Sequence, residues 1–386
     1  MAHAKLSPSS AERWMTCPGS VALCDGLVDE GSSFAEEGTA AHWAAEQILL
    51  GKHDQFSVVG QKAENEYIVT ADMVVDVERY ITQIQDLVAS TGGNLLVEQR
   101  LPIGEWTGES DAHGTSDAVI LASGEIIVCD LKFGRGVQVD AAENKQLMLY
   151  ALGAVETFDI AAGPFERVRL VISQPRLGHY SEWTLTMADL EAFGAEVKAA
   201  AKATAATDAP HVPSEKACKF CKAKATCPAL RSEVMDAFEN VEPKTAEVDR
   251  LGWAMGKVAL VETWCKAIRA EVEKELLAGK AIAGWKLVKG KMGNRKWSDP
   301  TEAENMLKSL RLKVDQMYDL SLISPTSAEK LANSEVIGPR QWKKVLPLIT
   351  RTEGGPSVAP ESDKRPAIEP ISSDAFDVVQ PHDDFV

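Results

Sequence analysis

Hydrophobic and polar positions change period several times along the chain. In "AEEGTAAHWAAEQILL", residues 35–50, apolar residues recur at the spacing of one helix face and stop at Gly51. "TADMVVDVERYITQIQDLVAST", residues 70–91, repeats the helical pattern more strongly and ends at Gly92-Gly93. The pattern then turns to short β-rich runs, "NLLVEQRLPI", "HGTSDAVILAS" and "EIIVCDLKFG", with Gly124 in the turn between the last two. "AAENKQLMLYALGAVETF" returns to the helical period, "RVRLVISQP" and "YSEWTLT" predict strands, and "MADLEAFGAEVKAAAKAT" predicts another helix. Helix, three strands, helix, strand describes an α/β domain with a mixed central sheet flanked by helices.

Beyond this the pattern weakens. "ATAATDAPHVPSE" reads as a linker leading to a cysteine-rich stretch, and residues 245–278 are helical again. "WKLVKGKMGNRKWSDP" predicts a small β element around a turn, and "LISPTSAEKLANS" a helix with Ser327 at its N-cap. From Thr352 the chain is rich in Pro, Ser and Asp and has no period, which predicts a disordered acidic tail. The expected division is 1–235, a mostly helical 236–351 with a small β element, and 352–386.

One apolar run carries charge. Residues 126–129, "IIVC", read as a buried strand, yet the same strand continues into Asp130 and Lys132. Alternate residues of a strand share a face, so an acid and a base leave the sheet together. Asp117 lies on the preceding strand, one short hairpin away, so two carboxylates meet at one sheet end. Close carboxylates repel unless a cation sits between them, and oxygen ligands suit Mg²⁺ or Mn²⁺. Lys132 would then orient an attacking water or stabilise developing negative charge. The bland alternative for Asp-x-Lys alone is a solvated surface pair.

Composition narrows the function. The chain has 386 residues, 45% of them hydrophobic, and no apolar run of the length a membrane span needs. No apolar segment follows the first residues, so a secretory signal is not expected and a cytoplasmic location is. The formal net charge of −16 argues against nucleic-acid binding by the whole surface. Such a chain can engage DNA only through a local basic channel or metal ions.

"GTSDAVILASGEIIVCDLKFGRG" followed by "NKQLMLYALGA" resembles the PD-(D/E)xK nuclease superfamily, and within it the RecB-like exonuclease branch. The resemblance implies a restriction-endonuclease-like fold with Asp117, Asp130, Lys132, Gln146 and Tyr150 in the active site. Gln146 and Tyr150, four apart, share one helix face. The branch also carries Gly-Thr-x-x-His on an upstream helix, and "EGTAAHWAAE" matches it, which implies that His42 joins Asp117 and Asp130 as a metal ligand. Glu98, in "LVEQRL", matches a supporting acid on the first core strand.

Of seven cysteines, Cys218, Cys221 and Cys227 form a tight Cys-x2-Cys-x5-Cys cluster, while Cys129 and Cys265 read as buried hydrophobes. Three thiols need a fourth ligand; for zinc it could be His211 or a distant cysteine. Iron–sulfur members of the RecB-like branch take one cysteine from before the nuclease core and three from after it. That resemblance implies a structural 4Fe–4S cluster on Cys17, Cys218, Cys221 and Cys227, with Cys24 as the other candidate for the fourth position and structural Zn²⁺ as the alternative metal. Lys216, Lys219, Lys222 and Lys224 surround the cluster, as a solvated surface or as a DNA-backbone contact.

"GWKLVKGKMGNRKW" offers Trp285 and Trp297, as core residues of a small β element or as stacking partners for nucleic acid. Together with "LISPTSAEKL" it resembles a nuclease-like family of phage and prophage proteins with no assigned function. The tail end "DAFDVVQPHDDFV" is either a solubilising tail or a recruiting tip like those of single-stranded-DNA-binding proteins. The expected function is a metal-dependent DNA exonuclease of phage replication or recombination, in a bacterial host cytoplasm. The rival is a noncatalytic DNA-binding or scaffold protein that keeps the nuclease fold.

Overall fold

The computed structural model describes residues 4–27, 31, 33–239, 248–293, 295–310, 312–318, 323–333, 336–351, 354–360 and 365–368. Two compact units, Met1–Cys265 and Lys266–Val386, divide the chain.

The first unit contains helices α1 (Ala11–Thr16), α2 (Ser33–Leu49) and α3 (Ala71–Thr91), then strands β1 (Asn94–Pro102), β2 (His113–Ala122) and β3 (Glu125–Leu131). Helix α4 (Lys145–Ala162), strands β4 (Arg167–Gln174) and β5 (His179–Thr186), and helices α5 (Met187–Thr204), α6 (Glu215–Lys219) and α7 (Pro228–Glu239) follow. Helix α8 (Val248–Leu277) begins in this unit. Local chemistry sets the helix ends. The Thr70 hydroxyl accepts from Met73 N at the start of α3, and Gly92 closes it in the left-handed region at φ 64°. The Asn144 side chain caps α4 by accepting from Leu147 N.

The sheet runs in the order β1-β2-β3-β4-β5 and is mixed: only β3 and β4 are parallel. A parallel pair needs a crossover, and α4 supplies it. The C-terminal end of β3 therefore lies beside the start of α4, the usual place for a site in such sheets.

Strand β3 is buried along its whole length. Ile126 and Val128 join a core with α4 and α5 through Leu147, Leu190 and Phe193. Ile127, Cys129 and Leu131 join a second core with α2 and α3 through Ala41, Val77 and Ile84. Each large side chain so buried contributes about 1.5–3 kcal/mol. That investment anchors the strand whose end delivers Asp130.

The first unit extends past the expected 235/236 boundary. Leu230 and Val234 of α7 and Leu260 of α8 pack on Cys218 and Cys227, so the cysteine region carries its own small core. The second unit holds β6 (Trp285–Gly290), β7 (Arg295–Trp297), α9 (Pro300–Ser309), α10 (Pro325–Asn333), α11 (Pro339–Val345), β8 (Ile349–Arg351) and β9 (Gly354–Pro360).

Three expectations are corrected here. β6 and β7 do not pair with each other around a turn: β6 pairs with β9 and β7 with β8, both antiparallel. Residues 354–360 are consequently a strand rather than part of a disordered tail, because β6 needs a hydrogen-bonding partner its near neighbours do not provide. Residues 352–353, 361–364 and 369–386 of the expected tail lie outside the described residues. Helix α10 starts at Pro325, and Ser324 Oγ accepts from Ser327 N, so Ser324 takes the capping role expected of Ser327.

Candidate active site

The β1–β2 ladder pairs Val97 with Ala118 and Gln99 with Ser116, and skips Glu98 and Asp117, which the register sets opposite each other. Glu98 sits at φ 50°, a left-handed conformation uncommon for a residue other than glycine. Such outliers persist where surrounding structure enforces them, and they gather at functional sites. The β2–β3 ladder begins at Ala118–Cys129. Beyond it Asp117 Oδ2 accepts a hydrogen bond from Leu131 N at 2.6 Å, locking the carboxylate to the end of β3. Its other oxygen, Oδ1, lies 2.9 Å from His42 Nδ1 on α2. One donor atom each from His42, Glu98 and Asp117 falls within 4.8 Å of the others, the spacing of a metal-binding group.

The electrostatics of this group suit a divalent cation. Burial, and then the Asp117 carboxylate beside it, raise Glu98 to about 7. Burial alone would depress the His42 imidazole, but Asp117 outweighs it and lifts His42 to about 9. Burial opposes ionisation of Asp117 as well, yet His42 and the Leu131 amide hold it below the usual carboxylate range. A proton on His42 thus partly neutralises a group of acids that a divalent ion would neutralise better.

Asp130 is 3% exposed. Its Oδ2 lies 2.8 Å from Lys132 Nζ, but off the direction a hydrogen bond needs, so this buried oxygen receives no hydrogen bond. Burial pushes Asp130 upward despite Lys132. Lys132 Nζ donates to Gln146 Oε1 at 2.9 Å, and Gln146 Nε2 reaches Asp130 Oδ1 at 3.3 Å and the Tyr150 hydroxyl at 2.9 Å. Gln146 thus spends both ends of its amide on holding Lys132 and Asp130 in register. A buried carboxylate near a His/Glu/Asp group is a donor set suited to Mg²⁺ or Mn²⁺.

His42, Glu98, Asp117, Asp130, Lys132, Gln146 and Tyr150 all join this network or the ligand group beside it. The close ligand group contains Glu98 where the sequence reading had Asp130. Arg176, unmarked in the sequence reading, stacks over the Phe133 ring at 4.7 Å and pairs with Glu37 of α2 at 2.6 Å. It ties the loop after β4 to the helix that carries His42. The only sequence sign was an arginine inside a Pro-x-x-Gly turn.

Cys17, Cys218, Cys221 and Cys227 line one small cavity, together with His211. Val212 N donates to Cys17 Sγ at 3.2 Å and Leu230 N to Cys227 Sγ at 3.4 Å. Cys24 Sγ touches Cys221 Sγ at 3.7 Å, but Cys24 does not line the cavity. Among the described residues no three cysteine sulfurs lie within 4.8 Å of one another. A tetrahedral zinc site, with Zn–S about 2.3 Å, would draw them closer than that.

No described helix is long and apolar enough to cross a membrane. A family model described as "Protein of unknown function (DUF2800)" matches residues 3–366, and the chain belongs to that family. A solved structure described as "Crystal structure of SSO0001" is similar over 56% of this chain and 84% of its own, at 15% identity and a TM-score of 0.27.

Proposed function

We propose that this member of the DUF2800 family is a metal-dependent deoxyribonuclease of the PD-(D/E)xK type, an exonuclease of phage DNA replication or recombination in the host cytoplasm. The observation that carries this reading is the Lys132 ammonium held between the buried Asp130 carboxylate and the Gln146 amide, beside the His42–Glu98–Asp117 group. The phage setting rests on sequence resemblance alone.

In this reading His42, Glu98 and Asp117, with Asp130, would hold Mg²⁺ or Mn²⁺. The ion supplies Lewis acidity toward a phosphoryl oxygen and lowers the pKa of water. The chain's own residues do the rest. Lys132 meets negative charge developing on the phosphorus oxygens and orients the attacking water. Gln146, braced by Tyr150, fixes the Lys132 ammonium against Asp130 at one position. Asp117, fixed by Leu131 N, keeps the ligand group from rearranging between turnovers.

The four thiols around the cavity hold a 4Fe–4S cluster with a structural role. It would tie Cys17 to Cys218–Cys227 and so close a loop worth roughly 3–5 kcal/mol on a loop-entropy model. The preference for iron–sulfur over zinc rests on the sequence resemblance.

The test is cleavage of labelled single- and double-stranded DNA with Mg²⁺ or Mn²⁺, comparing the wild type with Asp130→Asn and Lys132→Ala. Cleavage by the wild type and its loss in both variants is expected. No metal-dependent cleavage of any DNA by the wild type would remove the enzyme reading.

A further inference from the structure

An open cleft of 560 Å³ lies in the first unit, lined among others by Ser7, Ser9, Ser10, Arg13, Phe220 and Lys222. Its size is that of a small-ligand site. Three serine hydroxyls converge on it: Ser7 Oγ is 3.3 Å from Ser9 Oγ and 2.9 Å from Ser10 Oγ. Serines before a helix normally cap it, yet neither Ser7 nor Ser10 makes a side-chain capping bond here. Their hydroxyls bond one another at the cleft wall, and Ser10 Oγ also donates to the Ser7 carbonyl at 3.2 Å.

The charge around them is positive. Arg13 donates from Nη1 to Ser20 Oγ at 2.9 Å, with one of the five N–H donors a guanidinium carries. The acid among the lining residues is Asp25, which is paired with Lys5 at 3.4 Å. Phe220 presents a ring that is 79% exposed, with the Lys219 ammonium 5.6 Å from its centroid. Hydroxyls, a guanidinium and an ammonium suit a phosphate, and an exposed ring suits a base.

The cleft also adjoins the candidate active site. Pro8, between Ser7 and Ser9, is buried. A Cβ on Gly114 would meet Pro8 Cγ at 2.7 Å and Tyr150 Cε1 at 2.5 Å, so the proline and tyrosine rings share the space over that glycine. Lys145, next to Gln146, pairs with Glu12 of α1 at 3.3 Å and donates to Thr16 Oγ1 at 3.3 Å. The serine segment thus packs, through Pro8, against the helix that positions Lys132.

We infer that this cleft is a phosphate-and-base subsite for the single-stranded DNA segment flanking the bond to be cut. Ser7, Ser9, Ser10, Arg13 and Lys222 take a backbone phosphate, and Phe220 stacks on the adjoining base. The identity of the ligand as a DNA strand rests on the nuclease reading; the chemistry of the cleft does not.

The experiment uses the full chain in EDTA and the fluorescence anisotropy of a fluorescein-labelled single-stranded oligothymidylate. Ser9 and Phe220 are exposed, so Ser9→Glu and Phe220→Ala should keep the wild-type melting curve. Ser9→Glu is expected to weaken binding about tenfold and to flatten the salt dependence by about one phosphate contact. Phe220→Ala is expected to weaken binding about five- to tenfold, with the salt slope retained. Lys52→Glu, an exposed charge change outside the cleft, should alter affinity by less than about twofold in physiological salt.

Wild-type affinity in both cleft variants, or an equal loss in Lys52→Glu, overturns the subsite. Cleavage assays with Mn²⁺ report on the nuclease reading separately. Cleavage together with an unaffected binding series removes the subsite alone. The expected binding series without cleavage removes the nuclease reading alone.

Discussion

Glu98 faces Asp117 across a break in the β1–β2 ladder, and its backbone adopts φ 50° at that break. Two acids are thereby turned toward His42 at the cost of a ladder pair and a left-handed residue. The strain and the like-charge contact make sense if a cation belongs between them.

Glu98 is therefore where stability and metal binding trade against each other. Glu98→Gln and Glu98→Gly both remove the charge, but only glycine relieves the positive φ. Glu98→Gly should be more stable than Glu98→Gln by about 1 kcal/mol in urea unfolding. Both should weaken Mn²⁺ binding by about tenfold or more in calorimetry. Unchanged Mn²⁺ affinity in both would take Glu98 out of the ligand group.

Protons and metal compete at the same atoms. Glu98 rises from 4.5 to about 7 and His42 from 6.5 to about 9, so the metal-free fold binds both protons more tightly than the unfolded chain. Their stabilising contribution is complete below the unfolded values and disappears as pH rises through about 7 and then about 9. Metal-free melting temperature should fall between pH 5 and 9 for the wild type, and less steeply for His42→Ala. Mn²⁺ affinity should rise over the same interval, with proton release visible in buffers of different ionisation enthalpy. A pH-independent Mn²⁺ affinity would contradict this account.

Gln146 acts through Lys132 and Asp130. Gln146→Ala should cut kcat by about a hundredfold, in the range for loss of a positioned electrostatic group, while leaving KM for DNA nearly unchanged. Gln146→Glu places a second carboxylate against Asp130 and should not restore activity. Full activity in Gln146→Glu would mean the amide donor is not what holds Asp130.

The cysteines divide cleanly by position. Cys218→Ser should lose bound iron and acid-labile sulfide and lower stability by several kcal/mol, roughly 3–5 on the loop-entropy model. Cys129→Ala, inside β3, should keep its iron and pay only for lost packing. Cys24→Ser should also keep its iron, since Cys24 does not line the cavity. A colourless wild type with stoichiometric zinc would replace the cluster assignment.

How much of this was legible depended on range. The helices at 33–49 and 71–91 and all five strands of the main sheet were readable from the sequence, because helix faces, strand alternation and short apolar runs such as that of β3 are written locally. The pairing of β6 with β9 was not, because a strand's partner is set by what reaches it in space and not by its own alternation. Lys132 and Gln146 were readable as a motif, but their 2.9 Å bond exists only because the crossover after β3 brings the start of α4 back to the strand end.

By itself the chain's order of residues determined the strands, the helix faces and which polar residues stand at the strand ends, since these follow from steric and solvation rules acting over a few neighbours. The tertiary structure alone decided that Glu98 enters the ligand group, that Arg176 braces the His42 helix, and that Ser7–Ser10 and Phe220 share a cleft. Those contacts join residues far apart in sequence, and only the packing of both cores against one sheet brings such residues within reach of each other.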